Sequence, residues 1–213
     1  MLGIHDLALF VVSGLLLNLA PGPDSLLVMT RSATQGWRAG SSAALGIAGG
    51  TCVHILAAAL GLSALLATSA TAFTVVKLVG AAYLLYLGMS LLLKKPAQAT
   101  PLAAPDTAAT CDYRRVFLQG FLTNALNPKV ALFFLAFVPQ FIAPDAADKT
   151  LAFLLLGSIF NINSLLWCLL LAFTIAFARD RLRPGPTIGC WLNRAIGGLF
   201  VALGIKLALA QRS

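Results

Sequence analysis

The chain has 213 residues, of which 59% are hydrophobic and only 10% are charged. A soluble domain of this size carries about 25% charged residues, so this composition excludes an ordinary soluble protein and favours a protein of the lipid bilayer. The net charge of +8 does not indicate nucleic acid as a partner, because no basic stripe interleaved with aromatic residues is present.

Six stretches are long and apolar enough to cross the hydrocarbon core, which takes about 20 helical residues. In chain order they are residues 4–30, 41–66, 73–93, 116–142, 151–178 and 191–210. The link at 94–115 is rich in Ala, Pro and Thr and divides the spans into two groups of three. We therefore expect one transmembrane domain, with a first repeat at about 1–94, a cytoplasmic linker at about 95–114 and a second repeat at about 115–213.

The basic residues predict the orientation of these spans. Ten of the 15 Lys and Arg residues belong to the first, third and fifth links, and four belong to the opposite side. Since cytoplasmic loops carry the excess of Lys and Arg, both termini are predicted to be periplasmic.

Three spans in each half imply that the two halves have opposite orientations, and a weak internal repeat agrees with this. The segment from Asn18 to Pro23 in the first span is similar to the segment from Asn124 to Lys129 in the fourth. Residues 77–83 are likewise similar to residues 194–200. The expected fold is an all-α membrane protein with six transmembrane helices as an inverted 3+3 repeat, in which helices 1 and 4 are broken.

Both breaks are predicted from proline and glycine inside apolar spans. Pro21, Gly22 and Pro23 remove backbone donors and loosen the chain, and the freed backbone groups must be satisfied by protein or by water in a cavity. A simple kink or an early helix end is the alternative. Asn127 and Pro128 form the corresponding feature in the fourth span.

Two opposite charges flank the breaks. Lys129 lies near the middle of its span, where a lysine costs about 2.5–3.5 kcal/mol or more unless it faces a wet cavity or an acid. Asp24 is the acidic residue in a comparable position. The pair is interpreted either as a structural salt bridge between the halves or as part of a solute site, and the two interpretations are compatible.

A broken helix with these charges is suited to a zwitterion. The amides that begin its second half, together with Lys129, favour an anion, whereas Asp24 and freed carbonyls can accept an ammonium group. An α-amino acid carries both groups. The predicted substrate-binding residues are Asn18, Pro21, Gly22, Pro23, Asp24, Asn124, Asn127, Pro128 and Lys129, and Asp24 is also a candidate for proton coupling.

Further polar residues occur at membrane depth. His54 is either a packing residue or a second proton-coupling candidate, because histidine changes charge near physiological pH. A polar patch in the fifth span serves either hydrogen bonding between helices or the lining of a cavity; it contains Asn161, Asn163, Ser164 and Trp167. No metal-ligand cluster, Walker loop or Ser/His/Asp arrangement is present, so neither a metal, a cofactor nor an enzymatic activity is expected.

Along nearly its whole length the chain resembles the LysE/RhtB family of amino-acid exporters of bacterial inner membranes. The segments that carry the resemblance are residues 17–24 (LNLAPGPD), the spacing of Gly36 and Gly40, and residues 44–46, 78–88, 120–134, 137–141 and 197–204. The resemblance implies secondary transport with outward flux of an amino acid or close derivative. Proton antiport in the inner membrane is the expected mode, and Asp24 as the one acidic residue at depth favours a neutral substrate.

The expected partners are thus a small amino-acid substrate, protons and the bilayer, with a homodimer left open. Two other functions compete. An exporter of metal or other inorganic ions would need clusters of Cys, His or acidic residues at depth, and an intramembrane enzyme or thiol carrier would need paired cysteines or a catalytic group.

Overall fold

The computed structural model describes residues 2–20, 22–62 and 111–178, together with single positions within 75–93 and 198–205. In this part of the chain two helices are long and apolar enough to cross a membrane, and two bent helix pairs qualify when each pair counts as one span. The protein is therefore an all-helical membrane protein, as predicted. The predicted third and sixth spans are described only at single positions, several of them helical, and residues 94–110 of the linker lie outside the described residues.

The first span is a bent pair of helices, α1 (Leu7–Leu19) and α2 (Pro23–Gln35), which meet at an angle of 55°. Helix α2 continues to Gln35, beyond the predicted end of the apolar span at residue 30, because the polar residues that follow are also helical. The helix stops at Gly36, whose φ of +85° lies in the region that favours glycine.

Helix α3 (Trp37–Ala57) begins immediately after Gly36 and continues as a π-helical turn, Ala58–Leu62. Arg31 and Arg38, which were predicted to lie in the first link, are both helical, and a one-residue turn separates their helices. The predicted start of the second span at residue 41 is four residues too late for the same reason.

The fourth span is the second bent pair, α4 (Tyr113–Ala125) and α5 (Pro128–Leu132), at an angle of 45°. Helix α5 continues as a π-helical turn, Phe133–Phe137, and a 3₁₀ turn, Val138–Phe141. Helix α4 begins inside the predicted linker, because the Asp112 carboxylate accepts a hydrogen bond from the amide of Arg115 at 3.1 Å and caps the helix.

The fifth span is one unbroken helix, α6 (Lys149–Ala178), which begins two residues before the predicted start. Its first turn is capped in the same way, since the Asp148 carboxylate accepts from the amide of Leu151 at 2.8 Å. Helix α6 contacts α1, α2, α3 and the 3₁₀ turn Val138–Phe141, so it lies against both halves of the first bent pair and against the end of the second.

Helices α3 and α4 pack with their backbones in close approach. A Cβ atom at Gly46 or Gly50 would collide with the backbone of α4, and a Cβ atom at Gly120 would collide with the backbone of α3. Small residues allow such close packing between membrane helices. This contact joins the first predicted repeat to the second and fixes α3 against the bend of the fourth span.

Hydrogen bonds close the described bundle at both ends. At one end, the Arg31 guanidinium donates to Gln119 at 2.7 Å and the Ser42 hydroxyl donates to the carbonyl of Tyr113 at 2.6 Å. At the other end, the amide of His5 donates to the carbonyl of Phe141 at 3.1 Å. A buried aromatic core stabilises this second end; it contains Phe10, Phe133, Phe134, Phe137, Phe141, Phe153 and Phe160.

Candidate functional site

The first break leaves the end of α1 without helical partners, and the second break supplies the missing donor. The Lys129 ammonium donates to the carbonyls of Leu17 and Ala20 at 3.1 and 3.2 Å. The C-terminal end of a helix carries partial negative charge and unpaired carbonyls, so a cation is well placed there. Lys129 therefore stabilises the end of a helix in the other half of the chain.

Gly22 allows this close approach. Its backbone is extended, with φ of −150° and ψ of −176°, and it precedes α2 without providing a side-chain cap. A Cβ atom at this position would lie 3.2 Å from the Lys129 Nζ atom. A larger residue would therefore press on the ammonium group and disturb its two hydrogen bonds.

The second break is capped by its own residues. The Asn127 side-chain carbonyl accepts from the amide of Lys129 at 3.0 Å, which caps the start of α5. The amide of Asn127 in turn donates to the carbonyl of Asn124 at 2.8 Å. Asn124 and Asn127 are both buried, so their remaining polar atoms also need partners.

Asp24 is the partner of the side-chain amide groups of Asn124 and Asn127. Its Oδ2 atom accepts from the Asn124 and Asn127 side chains at 2.9 and 3.0 Å. Asp24 also lies in the first turn of α2, where the helix dipole favours a negative charge. The breaks thus hold each other, since α1 receives Lys129 from the second break and the second break donates its amides to Asp24.

A direct salt bridge between Asp24 and Lys129, one of the two interpretations of the pair, is not formed. Among the described residues, the ammonium donates to backbone carbonyls and the carboxylate accepts from asparagine amides. The two charges still belong to one cluster, which consequently has no net charge when both groups are ionised.

Helix α3 holds the second break from behind. The His54 Nε2 atom lies 2.9 Å from the carbonyl of Asn124, a contact in which Nε2 must carry the proton because a carbonyl only accepts. The Thr51 hydroxyl lies 3.1 Å from the Asn124 Oδ1 atom and 3.1 Å from the carbonyl of Ile47 in its own helix, so its single proton is shared between these two acceptors. Nothing in the sequence singles out Thr51, since a lone threonine in an apolar helix usually bonds within its own turn.

A small cavity adjoins the two breaks. Of the predicted site residues it is lined by Asn18, Asp24, Asn124 and Lys129. Its volume of about 10 Å³ is near the minimum that holds one water molecule. An amino acid needs more space, so its walls must separate before such a solute can enter.

Three buried polar atoms at this cavity have no hydrogen-bond partner among the described residues. They are the amide nitrogen of Asn18, the Oδ1 atom of Asp24 and the indole nitrogen of Trp167. All three residues line the cavity.

The two prolines that follow the breaks behave differently from the prediction. Pro23 and Pro128 were predicted to be non-helical, and this was wrong, because each is the first residue of a helix. Proline suits that position, since its ring presets the helical φ and no amide hydrogen is needed there. Both side chains are exposed, whereas Pro21 lies outside the described residues.

The polar patch of α6 serves both of the roles considered for it. Ser164 and Trp167 line the cavity, together with Cys168. Asn161 instead bonds between helices, because its amide donates to the carbonyl of Ala48 at 3.2 Å. The described residues contain no group of three or more His, Cys, Asp or Glu that could hold a metal ion.

Known proteins are similar to this chain along nearly its whole length. Residues 15–211 match the family model of the LysE type translocator. An uncharacterized membrane protein of Pseudomonas aeruginosa is 37% identical, with 100% of this chain and 99% of the relative aligned. An uncharacterized membrane protein of Bacillus subtilis is 31% identical, with 97% of this chain and 100% of the relative aligned.

A leucine efflux protein of Salmonella typhimurium is also similar. It is 29% identical, with 98% of this chain and 97% of the relative aligned. No solved structure gives a significant match to this chain.

Proposed function

The chain belongs to the LysE type translocator family, and from that premise we propose that it exports an amino acid or close derivative across the bacterial inner membrane in exchange for protons. It is a multi-pass membrane transporter and not an enzyme. The observation that carries the proposal is the meeting of two chain breaks at one buried polar cluster beside a cavity. Broken spans that line a cavity are how transporters place backbone and charge at membrane depth.

The chemistry of the cluster supports an amino acid as the substrate. Lys129 and Asp24 provide opposite charges within one site, so a zwitterion can bind there without leaving a net buried charge. The similarity to a leucine efflux protein supports an uncharged amino acid, with leucine as the first candidate. A metal ion is disfavoured by the donor set, which consists of amides, one carboxylate and one ammonium.

Proton coupling is assigned to Asp24, with His54 as the second candidate. A proton on Asp24 would remove the negative charge that balances Lys129 and would weaken the hydrogen bonds from Asn124 and Asn127. Since those bonds join the two breaks, protonation would favour a different arrangement of the two halves. Export could then follow when the solute and the proton bind different arrangements.

We further propose an inverted 3+3 repeat with both termini in the periplasm. The two bent pairs support the repeat, because each break is followed by a proline that begins the next helix. The orientation is supported by Arg31 and Arg114, which belong to the end of the bundle where Arg31 bonds to Gln119. The test is labelling of Arg212→Cys in intact cells, in a protein whose native cysteines are replaced by serine. An impermeant thiol reagent should label this cysteine, and protection from the reagent would show that the orientation is the opposite one.

The transport assignment is tested with purified protein in liposomes. Vesicles loaded with one unlabelled amino acid at a time should take up the same labelled amino acid by exchange, and an imposed pH gradient should drive net flux. Empty liposomes and the Lys129→Ala protein provide the controls. Exchange of divalent cations with no exchange of any amino acid would replace the proposal with an ion exporter.

A further inference from the structure

The hydrogen bonds of the polar cluster separate its side chains into two groups. Asn124, Asn127 and Lys129 use their side chains to hold the two breaks. Asn18 and Trp167, together with one oxygen of Asp24, bring buried polar atoms to the same cavity without a partner among the described residues. Buried polar atoms are seldom left unpaired in folded proteins, so these atoms are the ones placed to bind a solute.

The three atoms have complementary chemistry. The side-chain amide of Asn18 and the indole nitrogen of Trp167 are donors, and an indole N–H can only donate. The Oδ1 atom of Asp24 is an acceptor. Two donors suit the two oxygens of a carboxylate, and a carboxylate acceptor suits an ammonium group.

We propose that Trp167 and Asn18 bind the carboxylate of the solute and that Asp24 binds its ammonium group, while Lys129 holds the first break. This assignment deepens the proposed function and depends on it. It adds α6, an unbroken helix, to the binding site, so that the solute is held between α1, α2 and α6.

The rest of the cavity wall indicates the substrate class. Leu17, Val130 and Phe160 contribute apolar surface, and Ser164 contributes a hydroxyl group. Asp24 and Lys129 are the charged residues of the described wall, and both are already assigned. A charged solute side chain would therefore lack a partner there, so the site selects an α-amino acid with an uncharged side chain.

The experiment compares an amino acid with two analogues in the liposome exchange assay. Leucine is tested first, beside leucinamide, which lacks the carboxylate, and 4-methylpentanoate, which lacks the ammonium group. Both analogues should compete with labelled leucine far more weakly than leucine does. If another uncharged amino acid exchanges faster than leucine, the competition is measured with the two corresponding analogues of that amino acid, one without the carboxylate and one without the ammonium group.

Trp167→Phe keeps the aromatic ring and removes the N–H donor. The leucine concentration for half-maximal exchange should rise about tenfold or more, which is the usual loss for a hydrogen bond to a charged group. Competition by leucinamide should weaken much less, because its neutral amide oxygen accepts a weaker hydrogen bond from the indole N–H than a carboxylate does. Trp37→Phe is the matched control, since Trp37 is partly exposed and stacks on Phe173; it should behave like the wild type.

Each outcome decides one question. If no amino acid exchanges in the wild-type protein, the proposed function fails and this assignment fails with it. Two results would overturn the carboxylate assignment alone, provided that leucine exchanges in the wild type. In one, Trp167→Phe leaves the half-maximal leucine concentration unchanged; in the other, it weakens the binding of leucine and of leucinamide by the same factor. If Trp167→Phe does not fold, Asn18→Leu removes the other proposed carboxylate donor, which lies on α1. The readout is again how much more the variant weakens the binding of leucine than the binding of leucinamide.

Discussion

The break between α1 and α2 and the break between α4 and α5 are similar in sequence but are stabilised in different ways. At the first break, α2 is preceded by Gly22, which offers no side-chain cap, and the freed carbonyls at the end of α1 depend on Lys129 from the other half. The second break is capped by Asn127 and held from behind by Thr51 and His54. We therefore expect the first break to change conformation during transport, while the second break keeps its conformation.

The largest effect is expected from Lys129→Ala. This substitution leaves the carbonyls of Leu17 and Ala20 without their donor and Asp24 without a balancing charge, which costs about 1–3 kcal/mol for each buried group left unpaired. Export should be abolished while the protein still inserts in the membrane, as measured by exchange in liposomes and by the amount of protein in the membrane fraction. Lys149→Ala, at the start of α6, is the matched control. Normal export by the Lys129 variant would show that the first break does not depend on the second.

Asp24→Asn should have a smaller and more selective effect. The shape of the side chain is kept, and one oxygen can still accept a hydrogen bond from an asparagine amide, so the protein should fold and exchange solute weakly. The response of transport to a pH gradient should be lost, because the titratable group that links the breaks is gone. Exchange at equal pH and uptake driven by a pH gradient measure the two properties separately.

The double substitution Asp24→Asn with Lys129→Ala tests whether the two charges have any role in transport. It removes both charges and so restores neutrality to the buried cluster. Retention of pH-driven export near the wild-type rate would exclude the pair from the transport mechanism. Lost export in a folded double variant is the expected result.

The two breaks also differ in how much of each could be predicted from the sequence. Proline and glycine inside an apolar span break a helix for local reasons, so both breaks were predictable, and the charges beside them indicated the candidate site. Their partners were not predictable, because the bonds from Lys129 to Leu17 and from Asn124 to Asp24 join residues about 100 positions apart. The sequence shows that a residue carries a positive or negative charge, but it does not show which polar groups the fold brings next to that charge.

The helix ends and the role of α6 show the same limit. Apolarity did not predict where α2 ends, since the polar residues after residue 30 remain helical until Gly36 ends the helix. The sequence marked Trp167 as polar at depth but could not tell whether it faces a neighbouring helix or a cavity. That choice depends on the rotation of α6 against the two bent pairs, which is set by tertiary packing.

Gly50→Ala tests the support of the second break. A Cβ atom at this position would lie 2.6 Å from the carbonyl oxygen of Phe121 and 2.9 Å from Asn124 Cβ. Helices α3 and α4 must then separate, at a cost of about 1–3 kcal/mol in the free energy of unfolding. Gly49→Ala is the matched control on the same helix, because its Cβ atom would meet the Phe121 ring at 3.3 Å, and that ring can shift. Equal stability of the two variants in detergent would contradict close packing at the second break.

The smallest effect is expected from Thr51→Val, which removes one of the two α3 groups that hold Asn124. The side chain keeps its size in a fully buried position, but the Asn124 Oδ1 atom loses the hydroxyl at 3.1 Å whose proton it shares with the carbonyl of Ile47. A neutral hydrogen bond of this kind contributes about 1 kcal/mol to the free energy of unfolding. Thr174→Val is the control, since Thr174 bonds within its own helix to the carbonyl of Leu170. Because His54 still holds the Asn124 backbone and Asp24 keeps both amides, Thr51→Val should lower stability in thermal unfolding while the pH response of transport is preserved. Loss of the pH response in this variant would mean that the second break moves during transport, and the division between a moving break and a supporting break would have to be abandoned.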